Sequence, residues 1–256
     1  MIEIGIFLVG LAAGNMTGLF GIGGGIVMVP AMIAIFGMGM LDANATSLAA
    51  MLLPVGVLGV IAYYKAGLIN VKDSLWISLG LLGGSYFGAK LAIGMDIGLL
   101  AKLYATFLFY VVISYLNIPA LLFGKKNKAN EKARKQYAFW TFILVGLFAG
   151  VIAGLFGKGG GIIIVPILIG FFHYQPKAAT ATSLAALQLP VGLPSVIVYA
   201  HDGHLNYLYA GLMALGIVGG AFFGTKLAIK LPSALFKKIY ACFLLGVAVY
   251  MVMKYI

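Results

Sequence analysis

Shifting the sequence by 136 residues lays its second half over its first without a gap, and no other feature constrains the fold as strongly. Residues 8–30 and 144–166 agree at 16 of 23 positions. "ATSLAAMLLPVG" at 45–56 and "ATSLAALQLPVG" at 181–192 agree at 10 of 12, and "GGSYFGAKLAI" at 83–93 and "GGAFFGTKLAI" at 219–229 at 8 of 11. Three blocks in one register mark a duplication. Between the copies lies the one long polar run, which begins "GKKNKANEKARK". The chain therefore divides into a repeat over 1–123, a basic linker over 124–136 and a second repeat over 137–256.

The duplicated unit is written for lipid. The chain is 63% hydrophobic and 9% charged, whereas a soluble domain carries about 25% charged residues and needs them to cover its surface. Apolar stretches near the ~20 residues that cross a bilayer recur from end to end, and in lipid a backbone without water must satisfy itself as helix. The expectation is an all-α polytopic protein of the cell (inner) membrane. The opening "MIEIGIFLVGLAAGNMTGLFG" has no basic n-region and carries Glu3, so it reads as a retained first span rather than a cleaved signal. Cys242 is the single cysteine, which excludes intramolecular disulfides, thiol relays and cysteine-built metal or iron–sulfur sites.

Each copy holds five apolar segments, at 3–20, 23–39, 43–64, 73–94 and 101–123, then at 138–157, 159–173, 178–200, 207–229 and 237–255. If all five cross, an odd number turns the second copy upside down relative to the first. With the linker in the cytoplasm, 13 of the 17 basic residues lie inside or at the inner boundary, and only Lys90, Lys102, Lys158 and Lys254 lie outside. Four crossings per half, with each glycine segment re-entrant, would move Lys226, Lys230, Lys237 and Lys238 outside. The reading is therefore two inverted-topology repeats, eight to ten helices in all, with a Gly/Pro-broken second segment in each half. The net charge of +11 is then a topology signal and not a nucleic-acid footprint.

Two motifs survive in both copies. "GLFGIGGGIVMVP" at 18–30 and "GLFGKGGGIIIVP" at 154–166 each set three glycines ahead of a proline, which weakens a helix and leaves backbone donors unscreened. Such a break at membrane depth belongs where it lines a cavity, and the helix that restarts after it offers a partially positive N-terminus to an anion. Gly23, Gly24 and Gly25 and their counterparts Gly159, Gly160 and Gly161 are candidate substrate contacts, with Lys158 as a charge present in one copy only. Close helix packing is the competing role of the glycines, and snorkelling to the interface that of Lys158. The "ATSL" motif adds Thr46, Ser47, Thr182 and Ser183, whose hydroxyls could cap, pack or contact a ligand, and Gln188 is a polar replacement for Leu52. Depth counting brings Ser183 level with Gly23–Gly25 and Ser47 level with Gly159–Gly161. Each break would then face the other half's hydroxyls.

The doubled "GLFGxGGGxxxVP", the following "ATSLAA" with its proline, and the turns at Tyr63 to Asn70 and Tyr199 to Asn206 resemble the sulfite exporter TauE/SafE family across nearly the whole chain. The resemblance implies secondary transport of a small anion such as sulfite, a sulfonate or a related sulfur-containing oxyanion. An accessory or assembly subunit, or a carrier of another small solute, stays open beside it. No catalytic residues and no metal or cofactor are expected: none of the six acidic residues sits mid-segment, and His173, His201 and His204 all lie at segment ends. "HDGH" at 201–204 reads as a turn, since the first copy has "KAGL" there. Expected partners are a small anionic substrate, the lipid bilayer, a coupling ion, H+ or Na+, and a second copy in a homo-oligomer, with no nucleic acid.

Overall fold

The computed structural model describes residues 2–20, 24–53, 56–115, 137–157 and 160–228, together with Leu245, Gly246, Val249 and Met253. Lys158, Gly159, Gly23, Pro54, Cys242 and the 124–136 linker lie outside the described residues. Every regular element among those described is a helix. In chain order they are α1 Ile2–Phe20, α2 Gly25–Phe36, α3 Met40–Ala50, α4 Val57–Lys65, α5 Val71–Ile93, α6 Ile97–Tyr115, α7 Phe139–Phe156, α8 Gly161–Gly170, α9 Pro176–Ala186, α10 Leu193–His201 and α11 Tyr207–Ala228.

The sequence leads one to expect a single kinked helix over 43–64 and another over 178–200. The structure divides each in two, α3 with α4 and α9 with α10, so the nine apolar segments up to residue 229 give eleven helices among the described residues, and the tenth segment, 237–255, lies outside their regular elements. The cause is local. A proline removes a ladder N–H and a glycine two residues later gives up helical preference, as at Pro190 and Gly192; α10 then restarts with Pro194 in its first turn.

Two pairs of long helices frame the molecule. α1 packs along α11, and α5 along α7. Both seams are built from glycine. Gly10 and Gly14 lie on the backbone of Met213 and Ile217, while Gly216 and Gly220 lie on Phe7, Leu11 and Asn15. In the matching seam Gly80, Gly84 and Gly88 meet Ile143, Leu147 and Val151, and Gly146, Gly150 and Gly154 meet Ile77, Leu81 and Ser85. Without side chains the backbones touch, which is how helices associate where no hydrophobic effect drives them together. Gly83 stands outside the seam: a Cβ there would meet only the Leu147 side chain at 3.6 Å.

In each seam residue numbers rise together, so α1 runs parallel to α11 and α7 parallel to α5. This fixes the path of the short helices. Asp42, in the first turn of α3, touches His204, just ahead of α11; the chain has therefore returned to the end of the bundle where α1 began. Tyr174, just ahead of α9, likewise bonds Asp73 in the first turn of α5, the end where α7 began. α2 and α8 make the return journeys, although with 12 and 10 residues they span only about 18 and 15 Å.

Outward faces are apolar. Leu79, Leu144, Phe148 and Leu215 are each more than half exposed, a belt that would aggregate in water and is at rest in lipid. By length and apolarity Phe139–Phe156 qualifies as a membrane-crossing helix, and the shorter apolar stretches include Ile2–Thr17, Ile97–Phe109 and Tyr207–Ala221.

Candidate functional site

The two glycine motifs build the same local structure. Gly24 and Gly160 are the N-caps of α2 and α8, and each carbonyl accepts two amides of the helix it opens, from Val27 and Met28 at 3.0 and 3.1 Å, and from Ile163 and Ile164 at 3.0 and 3.1 Å. Gly25 and Gly161 are the first helical residues. Neither helix carries an acidic residue in its first turn, so the positive end of each dipole is left uncompensated. Both caps are packed tightly: a Cβ on Gly24 would press on Ala13 and Thr17, and one on Gly160 on Leu81 and Ala149.

The hydroxyl motifs, equal in sequence, are unequal in structure. Ser47 donates to the Gly157 carbonyl at 2.7 Å, Asn44 Nδ2 to the Leu155 carbonyl at 2.8 Å, and the Tyr199 hydroxyl to the Gly154 carbonyl at 2.8 Å. These are carbonyls from the last turn of α7, which have no partner within the helix. The residues leading to Lys158 are therefore gripped by α3 of the other half and by α10. In the second motif Thr182 accepts the Asn70 amide at 3.2 Å. Thr46 and Ser183 are fully buried, and their hydroxyls have no hydrogen-bond partner among the described residues. Such a group costs about 1–3 kcal/mol unless water or a ligand meets it.

Two clefts lie between these elements. One is lined by Thr17, Gly24, Met51, Gly56, Leu184, Leu187 and Gln188. The other is lined by Ala153, Gly160, Leu48, Met51, Leu187 and Gly192, with Ser85 at its side. These linings match in the 136-residue register, Thr17 with Ala153, Gly24 with Gly160, Gly56 with Gly192, and Leu184 with Leu48. Each cleft thus joins a glycine helix start of one half to the residue that closes the "ATSL" motif of the other. The clefts share Met51 and Leu187. Their volumes, about 30 and 40 Å3, hold a few waters. Gln188 donates to the Leu184 carbonyl at 3.1 Å, and its Oε1 is buried without a partner among the described residues.

The sequence reading passes over the residues that satisfy the broken backbone in the second half. Ser78 donates to the Ala186 carbonyl and Ser85 to the Val191 carbonyl, both at 2.8 Å, and Ser195 to the Ser85 carbonyl at 2.7 Å. The signal lies in the repeat itself, as a departure from it. Where α5 has Ser74, Ser78 and Ser85, the matching positions of α11 hold Ala210, Ala214 and Ala221, and Gly59 matches Ser195. Asn44 is a further clamp on the other half.

Known proteins are similar to the chain along nearly its whole length. A model of the sulfite exporter TauE/SafE family matches residues 5–251. Among curated proteins, the chain is similar to a probable membrane transporter protein of Bacillus subtilis, 29% identical over 87% of this chain and 85% of that one. It is also similar to one of Methanocaldococcus jannaschii, 30% identical over 88% and 85%, and to one of Haemophilus influenzae, 29% identical over 96% and 97%. No solved structure is detectably similar to it.

Proposed function

This chain belongs to the sulfite exporter TauE/SafE family of membrane transporters, and from that premise we propose that it is a secondary carrier of a small anion: sulfite, a sulfonate or a related sulfur-containing oxyanion. One observation carries the reading: two register-matched clefts, each joining a glycine helix start of one half to the hydroxyl-bearing helix of the other, meet at Met51 and Leu187. A negative solute gains there from two helix N-termini with no acid beside them. The unspent hydroxyls of Thr46 and Ser183 supply donors that a desolvated oxyanion needs. Gln188 supplies its amide once it turns from the Leu184 carbonyl.

In this reading the halves are inverted repeats in the inner membrane, and the protein is a carrier, not an enzyme. Support comes from the return paths of α2 and α8: a re-entrant glycine segment would leave Asp42 and His204 at opposite ends of the bundle, and they touch. Transport follows as the halves rock about the shared residues Met51 and Leu187, opening one cleft as the other contracts. Lys158, next after the clamped Gly157, adds a point charge to the α8 start and biases that mouth toward anions. Energy comes from the solute's own gradient or from H+ or Na+ moving with it.

Thermal stability of the purified protein across a panel of oxyanions and sulfonates tests the reading. A bound ligand stabilises by about 2.7 kcal/mol at a hundred times its Kd. A concentration-dependent rise with sulfite or a sulfonate, and none with a cation of equal ionic strength, is expected. A panel without any rise, against a clear one with neutral or cationic solutes, would overturn the anion assignment.

A further inference from the structure

His204 sits between two carboxylates. Its Nδ1 is 2.7 Å from Asp42 Oδ1 and its Nε2 3.3 Å from Asp202 Oδ2. Asp42 belongs to α3 of the first half; Asp202 and His204 belong to the α10–α11 turn of the second, so the imidazole bridges the halves. A neutral imidazole donates from one nitrogen and presents a lone pair at the other. In that state one carboxylate faces a lone pair, which repels it. The Asp42 contact is a hydrogen bond and the Asp202 contact a charge contact, and only the protonated ring, positive between them, attracts both acids at once.

We propose that His204 is a proton-binding site that latches the two halves together at the end of the bundle where α1, α3 and α11 begin. Proton uptake from solvent closes the latch and proton release loosens it. The neighbouring elements carry other ionisable groups: Glu3 in the first turn of α1, His201 at the end of α10, Tyr207 and Tyr209 in α11, and Lys90 and Asp96 at the end of α5. Lys90 lies over the Tyr86 ring at 5.0 Å. Among the described residues only Asp42 and Asp202 make ion-pair contact with His204.

The opposite end is tied differently. There Asp73 accepts from the Tyr174 hydroxyl and, at 2.6 Å, from Asn70 Nδ2. A phenol and an amide keep their protons through the range in which an imidazole loses its own. Nothing of the His204 cluster exists in the first copy, where Leu68, Ala66 and Ala178 hold the matching positions. Between the halves, one end is therefore held through an imidazole and the other through a phenol. In a protein whose halves move against each other, acid on the His204 side holds that mouth shut whichever solute is carried.

The test is a thermal double-mutant cycle on the full-length protein at about pH 5 and about pH 8. At the lower pH His204→Gln and Asp42→Asn should each lower Tm by about 2–4 °C, and the double variant should fall no further than either single one. The gap to the parent should shrink at the higher pH, because the contact has weakened in the parent. His204→Arg, always charged and donating from several nitrogens, should keep its Tm at both pH values. If His204→Gln does not fold, Asp42→Asn against His204→Arg decides the matter. Gaps equal at both pH values, or additive losses at the lower one, would overturn the latch.

Discussion

His173 holds a left-handed backbone, φ 55°, where the matching residue of the first half is Gly37 at φ 63°. The turn is the same; only one copy kept the glycine suited to it. A side chain in that region costs about 1–2 kcal/mol, so His173→Gly should raise stability by about 0.5–1 kcal/mol, read by chemical denaturation in detergent. Ser47 and Ser183 show how far a motif can be read. The sequence makes "ATSL" identical in both copies, while in the structure Ser47 donates to the Gly157 carbonyl, within the other half's glycine motif. It could not tell which hydroxyl is spent, because the partner is a carbonyl from the other half. Ser47→Ala strands that buried carbonyl and should cost about 1–3 kcal/mol of stability. Ser183→Ala removes a hydroxyl without a partner among the described residues; it should leave Tm unchanged or raised and weaken anion affinity several-fold, measured by ligand-induced thermal shift.

At the scale of the element, glycine in this chain serves two ends that composition alone does not separate. Along α5 the seam needs Gly80, Gly84 and Gly88, four residues apart, while Gly83 is outside it. Helical spacing explains the difference: Gly83 is turned about 100° from Gly84. Gly84→Ala would drive a Cβ into the Leu147 carbonyl and should cost about 3 kcal/mol or prevent assembly, whereas Gly83→Ala makes ordinary contact and should cost under about 0.5 kcal/mol. Thermal denaturation of the two variants gives the comparison. The helices were legible from apolar length, and their breaks less so. Pro54 and Pro190 signalled kinks, but a full interruption needs carbonyls satisfied from elsewhere, and the Ser78 and Ser85 donors lie more than a hundred residues away in sequence.

The gap-free 136-residue register of the sequence reappears in the structure as matched helix starts and matched cleft linings. The sequence could not convey that the copies are no longer equal. Serine clamps, a gripped α7 end and a histidine latch fall to particular halves, and each arises from residues that break the repeat. The inverted arrangement requires the linker and the 201–204 turn to face opposite sides. With Cys242→Ala as background, Ala129→Cys and Gly203→Cys should label with an impermeant thiol reagent from opposite faces of oriented vesicles; labelling from one face would defeat it. The central claim, that this chain alone moves a small anion through the paired glycine breaks, is tested most directly by sulfite flux into liposomes that contain only this protein. The account predicts gradient-driven uptake that Lys158→Met reduces at least tenfold with the protein still folded and that Lys158→Arg partly retains. Empty-liposome rates across the oxyanion and sulfonate panel, or uptake by Lys158→Met at the parent rate, would contradict it.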